Sequence, residues 1–244
     1  ILILVGVTGA SPFAYVTNYE NNSVSVIDTA ANTVKTTVNV GSGPRGVAFS
    51  PDGTRAYVAN SCSNNIYVID TVKNKVIDIT HVGSFPMGIA VSPDGTKVYV
   101  GNAASNTISV IDAATNNVAA TVKVGNLPGD IAVAPNGKKV YAVISGESPD
   151  YQGTVSIIDT ATNNVTATVN VERNPRGIAV SPDGTKVYVV SSNGYPCYNG
   201  TVSVIDTATN TVTAAVPVGS LPQGIAVSPN GTKVYVASFL QALR

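Results

Sequence analysis

The stretch SPDGTKVYV occurs twice in this chain, at Ser92–Val100 and again at Ser181–Val189. Pro-Asp-Gly predicts a tight bend, and the run of β-branched and aromatic residues after it predicts the start of a strand. Two identical copies nearly ninety residues apart point to a repeated structural unit, and other markers agree. The dipeptide Ile-Asp ends an apolar run at Asp28, Asp70, Asp112, Asp159 and Asp206, in steps of 42, 42, 47 and 47. Pro44, Pro86, Pro128, Pro175 and Pro222 keep those steps, as do Pro51, Pro93, Pro135, Pro182 and Pro229. Three markers sharing one spacing exclude chance.

Each period holds four short runs of Val, Ile, Thr and Tyr. In residues 86–125 these are GIAVS, KVYVGN, TISVID and NVAATVKVG, broken by PDGT, AASN and AATN. Breaks of that length allow only hairpins, so each period reads as a four-stranded antiparallel meander, A to D. A single such sheet cannot bury both apolar faces. Neighbours stacked about 10 Å apart bury them, and the small Ala90, Ala132 and Ala179 of strand A suit a crowded inner end. The expected fold class is therefore all-β, a β-propeller of about five four-stranded antiparallel blades.

YVTN at 15–18, YVAN at 57–60 and YVGN at 99–102, each followed by an SVIDT-like strand and a VGxxPxG connection, resemble the YVTN-type β-propeller repeat family, whose best-known members are archaeal surface-layer proteins. The resemblance spans residues 11–238, with YAVI at 141 and YVVS at 188 departing from the namesake motif. It implies an extracellular or cell-surface setting and protein or glycan partners.

The ends leave the blade count open. Residues 224–228 can supply strand A to the N-terminal B–C–D set and close five blades. Alternatively, ILILVGVT is itself strand A, giving five blades and half a sixth. The chain can also be a piece of a larger ring, since the family usually closes with seven blades. Residues 1–10 read either as the remnant of a signal peptide or as that first inner strand, ahead of a single propeller domain over 11–244. An unpaired terminal strand would offer an edge for self-association.

Composition narrows the function. Fourteen basic residues balance 14 acidic ones, so no net field draws the chain to nucleic acid or an anionic membrane. No apolar run in the propeller is long enough for a transmembrane helix. Cys62 and Cys197 have neither zinc spacing nor blades close enough to bridge, so free thiols are expected. The lone His81 fills a variable strand D position and builds no triad. Neither a metal nor a cofactor is implied. GSGPRG at 41–46 satisfies GxGxxG but opens no helix, so it reads as a blade connection.

In a meander the BC and DA turns share one rim, and the residues outside the repeat pattern collect there. They include Glu147, Asp150, Tyr151, Tyr195 and Tyr198 in the two lengthened BC loops, together with Tyr19. Insertions confined to one face mark a binding face, against the plainer reading of free loop drift. At the mouth of the expected channel lies the variable residue of the PxG turn, Arg45, Met87, Gly129, Arg176 or Gln223, and Asp130 stands where other blades have Gly. Arg45 and Arg176 can hold an anion there or be solvated loop charges. The expected function is a non-catalytic binding or surface-layer scaffold acting through this rim. The alternative is a lactonase-like or other ligand-binding propeller with its site at the channel mouth, supported by fold analogy.

Overall fold

The computed structural model describes residues 2–5, 13–146, 152–192 and 199–238, the first of these segments by its backbone. It consists of strands β1 (Leu2–Val5), β2 (Phe13–Asn18), β3 (Ser23–Asp28), β4 (Thr33–Asn39), β5 (Pro44–Phe49), β6 (Arg55–Asn60), β7 (Asn65–Asp70) and β8 (Lys75–His81). There follow β9 (Pro86–Val91), β10 (Lys97–Asn102), β11 (Thr107–Asp112), β12 (Asn117–Lys123), β13 (Pro128–Val133), β14 (Lys139–Ile144), β15 (Gly153–Asp159) and β16 (Asn164–Val171). The last are β17 (Pro175–Val180), β18 (Lys186–Ser192), β19 (Gly200–Asp206), β20 (Thr211–Val218), β21 (Pro222–Val227) and β22 (Val234–Ser238).

Consecutive strands pair antiparallel into five four-stranded sheets, and β21 and β22 form a two-stranded sheet. The repeat is thus the blade. β1 pairs with β2 and β21 with β22, so residues 2–5 supply the first strand of the N-terminal sheet. The five-blade closure through residues 224–228 is not the pairing found. No helix among the described residues is long and apolar enough to cross a membrane.

The contacts fall into two compact units, residues 1–121 and 122–244. Within the first, β2 and β9 both lie beside β5; within the second, β13 and β21 both lie beside β17. The cores sit between successive sheets. One joins Tyr15, Val24 and Val26 to Val47, Val58 and Ile69, and the next joins Tyr57, Ile66 and Val68 to Ile89, Val98 and Ile111. In the second unit Tyr141, Val155 and Ile157 meet Ile178, Val187 and Val189. The fourth strands, such as β8 and β20, are mostly exposed, as expected of outer edges.

The repeated stretch owes its reuse to one turn. Ser92 Oγ accepts the Lys97 N–H at 2.9 Å and donates to Asp94 Oδ1 at 2.6 Å, and Asp94 Oδ1 accepts the Thr96 N–H at 3.0 Å. Ser181, Asp183, Thr185 and Lys186 repeat the set, and the Ser181 hydroxyl, first among the causes, pulls the Asp183 carboxyl down to about 2. The Ile-Asp aspartates cap the CD turns: Asp28 Oδ1 accepts from the N–H groups of Ala30 and Ala31 at 2.9 and 3.0 Å. Each of these turns closes on an asparagine in the left-handed region, Asn32, Asn74, Asn116, Asn163 or Asn210, the residue type besides Gly that tolerates it best.

The Asn of the YVTN motif and the Gly of VGxxPxG depend on each other. Asn102 Nδ2 donates to Thr107 Oγ1 at 3.1 Å and Ser109 Oγ at 2.9 Å, tying the end of β10 to the start of β11. A Cβ on Gly83 would lie 2.8 Å from that amide, and one on Gly41 would lie 2.8 Å from the Asn60 amide. The tyrosine that opens this motif is core in four blades, Tyr15, Tyr57, Tyr99 and Tyr141, each 1% exposed, with Ile144 in the Asn position after Tyr141. Burial, reinforced by Asp70 and Asp94 respectively, raises the phenols of Tyr15 and Tyr99 to about 12. Tyr235, in the two-stranded sheet, is 59% exposed because strands C and D do not cover it.

One tight approach between sheets is at the PxG glycine of the second sheet. A Cβ on Gly46 would lie 2.5 Å from the Met87 carbonyl oxygen, whereas one on Gly224 meets nothing within 4 Å. Gly46→Ala is therefore expected to cost about 1–3 kcal/mol in chemical denaturation, because the obstacle is backbone and cannot rotate away. Gly224→Ala should leave the midpoint unchanged or slightly raised.

Candidate functional site

In every complete sheet from the second on, and in the β21–β22 pair, the ladder between the first two strands is interrupted at the PxG turn. The register shifts between Pro44 and Val47, between Pro128 and Ile131, between Pro175 and Gly177 and between Pro222 and Gly224, and at Val100/Asn102 opposite Pro86. A bulge takes a residue out of the regular alternation and re-aims its side chain. The variable residue of PxG sits in it. The preceding residue is left-handed each time, at Gly43, Phe85, Leu127, Asn174 and Leu221, with φ between 49° and 64°. For Phe85 and Leu127 this conformation is strained. Part of the compensation is a cap, since Phe85 N–H donates to Asn64 Oδ1 at 2.9 Å and Gly43 N–H donates to Asn22 Oδ1 at 3.0 Å. BC and DA turns are thereby joined, as the meander geometry requires.

In the first unit this rim builds a side-chain cluster. The Arg45 guanidinium lies over the rings of Tyr19 and Phe85, 4.9 and 5.2 Å from their centroids. Its Nε donates to Ser61 Oγ at 3.3 Å, and Ser61 Oγ donates to the Gly43 carbonyl at 2.9 Å. The Arg45 carbonyl accepts the Thr17 hydroxyl at 2.8 Å. Two aromatic faces and one hydrogen bond thus hold the cation, and its terminal nitrogens engage no acceptor among the described residues.

Beside it, Tyr19 OH and Cys62 Sγ are 3.4 Å apart. Cys62 is a free, exposed thiol. Hydrogen bonding from Tyr19, then from Ser61, with a smaller contribution from Arg45, lowers its pKa below the usual thiol value against opposing desolvation and, more weakly, the Glu20 charge. Only glycine fits at position 43, where a Cβ would lie 2.7 Å from Cys62 Sγ and 2.9 Å from Ser61 Oγ.

In the second unit Asp130 replaces the PxG glycine. Its Oδ1 accepts the Ile131 N–H at 3.0 Å and its Oδ2 accepts the Ile178 N–H at 3.3 Å, so it staples β13 to β17. Packing around the half-buried carboxyl raises its pKa to about 6, although both N–H groups favour the charged form. Arg176 is exposed on β17, and backbone N–H groups hold Asp130 rather than this cation.

Among the sequence candidates, then, Arg45 joins Tyr19, while Asp130 stands in a separate setting. Glu147, Asp150, Tyr151, Tyr195 and Tyr198 lie outside the described residues, as does Cys197. The sequence reading missed Phe85 and Ser61, whose roles appear only when adjacent blades are superposed in space. Among the described residues no group of three or more His, Cys, Asp or Glu could hold a metal ion.

Asp130 carries a pH signature. Its folded pKa lies above the ordinary 3.8, so the stability linked to it is complete below 3.8 and is lost as pH rises through about 6. The difference in unfolding free energy between Asp130→Asn and the native protein should shift in favour of Asn across that window. A pH series of denaturant titrations measures it, and a flat difference would show that the carboxyl ionises freely.

Several known proteins share this architecture. A chain of hydrazine synthase from Kuenenia stuttgartiensis is 27% identical, with a TM-score of 0.86 over 92% of this chain and 70% of that one. A protein of unknown function from Desulfotomaculum acetoxidans is 19% identical, with a TM-score of 0.79 over 93% of this chain and 72% of that one, a likeness of fold. No curated protein sequence matches. The family described as "Lactonase, 7-bladed beta-propeller" matches residues 15–150, which is more than half of the chain and contains the Tyr19–Arg45–Ser61–Phe85 cluster. With antiparallel four-stranded blades and this match, the chain belongs to the lactonase-type seven-bladed β-propeller family.

Proposed function

We propose that this propeller is a binding module of the cell surface or extracellular space that engages a protein or glycan partner through the BC/DA rim. The observation that carries the reading is the Arg45 clamp, a guanidinium held between Tyr19 and Phe85 with its outer edge uncommitted. A cation fixed in this way meets a carboxylate or other anionic group at low entropic cost, because little side-chain freedom is lost on contact. The flanking rings add apolar contact area, in the manner of a binding hot spot. The YVTN-like repeats support a surface-layer setting for such a module.

A second reading, hydrolysis of a lactone, has the family match in its favour. Asp130 is the group it would use, since a carboxyl raised to about 6 suits proton transfer near neutral pH.

The two readings part in one comparison. Native protein and the Arg45→Ala variant are immobilised and exposed to cell-envelope extract at low and high salt, and the same proteins and Asp130→Asn are assayed against a panel of lactones. The binding reading expects retained partners that Arg45→Ala loses by about tenfold or more in affinity, with a salt-dependent on-rate. If Arg45→Ala keeps every partner, the rim reading falls. Lactone turnover abolished by Asp130→Asn would establish the second.

A further inference from the structure

Where β8 ends, a cleft of about 390 Å³ opens against the outer strands of the third sheet. It shares no lining residue with the Arg45 clamp. His81, Ser105, Thr107 and Ser109 line it with polar groups, and Val82 and Val118 supply an apolar wall. None of its lining side chains is a carboxylate, lysine or arginine.

Three hydroxyls of this cleft each accept a hydrogen bond from the protein. Thr107 Oγ1 and Ser109 Oγ both accept from Asn102 Nδ2, at 3.1 and 2.9 Å, and Ser105 Oγ accepts the Ser84 N–H at 2.7 Å. A hydroxyl that accepts from the protein keeps its own proton to give, and no described group of the protein takes these three. Asn102 is fully buried beneath them, with an Oδ1 that has no partner among the described residues. The cleft thus offers several hydroxyl donors and an imidazole, with no fixed charge. Its volume falls in the range of small-molecule sites.

The neighbouring blade carries a larger residue at one of these positions. β7 reads NIYVID where β11 reads TISVID, so Tyr67 stands at the position of Ser109. A tyrosine at that position is compatible with the blade.

We propose that this cleft binds a neutral polyhydroxylated ring of monosaccharide size. Several uncharged donors recognise hydroxyl and ring oxygens, and the two valines face the apolar C–H side of such a ring. An oxyanion would find no lysine or arginine there. The inference stands apart from the proposed rim function and draws on different residues.

The test is a titration of isotopically labelled full-length protein with glucose, galactose, mannose and N-acetylglucosamine, and separately with phosphate and sulfate, followed by amide shifts. The expected result is saturable shifts at Gly83, Ser105, Thr107 and Ser109 with at least one neutral sugar. Ser109→Tyr, which copies the residue type of Tyr67 into the third blade, should weaken them about tenfold or more while leaving the fold intact. His81→Ala, at an exposed site, should weaken them without affecting stability, and Arg45→Ala should leave them unchanged. Saturation by phosphate or sulfate alone would overturn the proposal, as would silence from every sugar at millimolar concentration or undiminished binding in Ser109→Tyr.

Discussion

The first strands of neighbouring sheets come so close that a single methyl group on Gly46 would lie 2.5 Å from the carbonyl oxygen of Met87. Much else follows from that approach. A sheet with two apolar faces gains by stacking, and burying Val and Ile between sheets at about 25 cal/mol per Å² is the main favourable contribution. The crowding at the inner strand is its steric consequence, met by Gly at PxG in most blades. Where Asp130 takes that place, the side chain becomes part of the contact by accepting the Ile178 N–H.

The same approach builds the rim. Each connection from an outer strand to the next inner strand passes through a left-handed residue before proline, and an asparagine from the preceding BC turn caps it at Gly43 and Phe85. The connection is therefore tied to two blades. Arg45, ejected from the ladder by the adjoining bulge, lands between Tyr19 of one BC turn and Phe85 of the following connection. Backbone strain at Phe85 and the positioning of the cation share a cause, the need to turn sharply into a crowded inner strand.

Much of the fold was legible because the repeat writes its turns in residues with one physical role each. Asp94 and Asp183 could be read as turn aspartates, and Asp28 and its equivalents as caps, from local spacing alone. That BC and DA turns share a rim followed from the parity of the meander. The pairing of residues 2–5 was one of two options, since an apolar N-terminal run does not say what it packs against. The Arg45 clamp was half visible: Arg45 and Tyr19 stood out, but Phe85 looked like an apolar variant of a connection that elsewhere reads Gly, Leu or Asn. Contacts across blades between residues forty apart leave no local signature. The Gly83–Asn102 pair escaped because it joins a connection to the far end of a strand within one repeat, although both residues belong to the repeat motif. The raised carboxyl of Asp130 depends on enclosure, which the sequence showed only as a departure from Gly.

The central claim is that blade packing presents Arg45 as a preformed, ring-clamped cation in the absence of any partner. The side-chain Nε–H resonance of Arg45 in the free protein tests it most directly. Stacking between Tyr19 and Phe85 with a bond to Ser61 predicts an upfield ring-current shift and slowed exchange with water, both lost in Phe85→Leu. A resonance at the position and exchange rate of a freely solvated arginine would contradict the account.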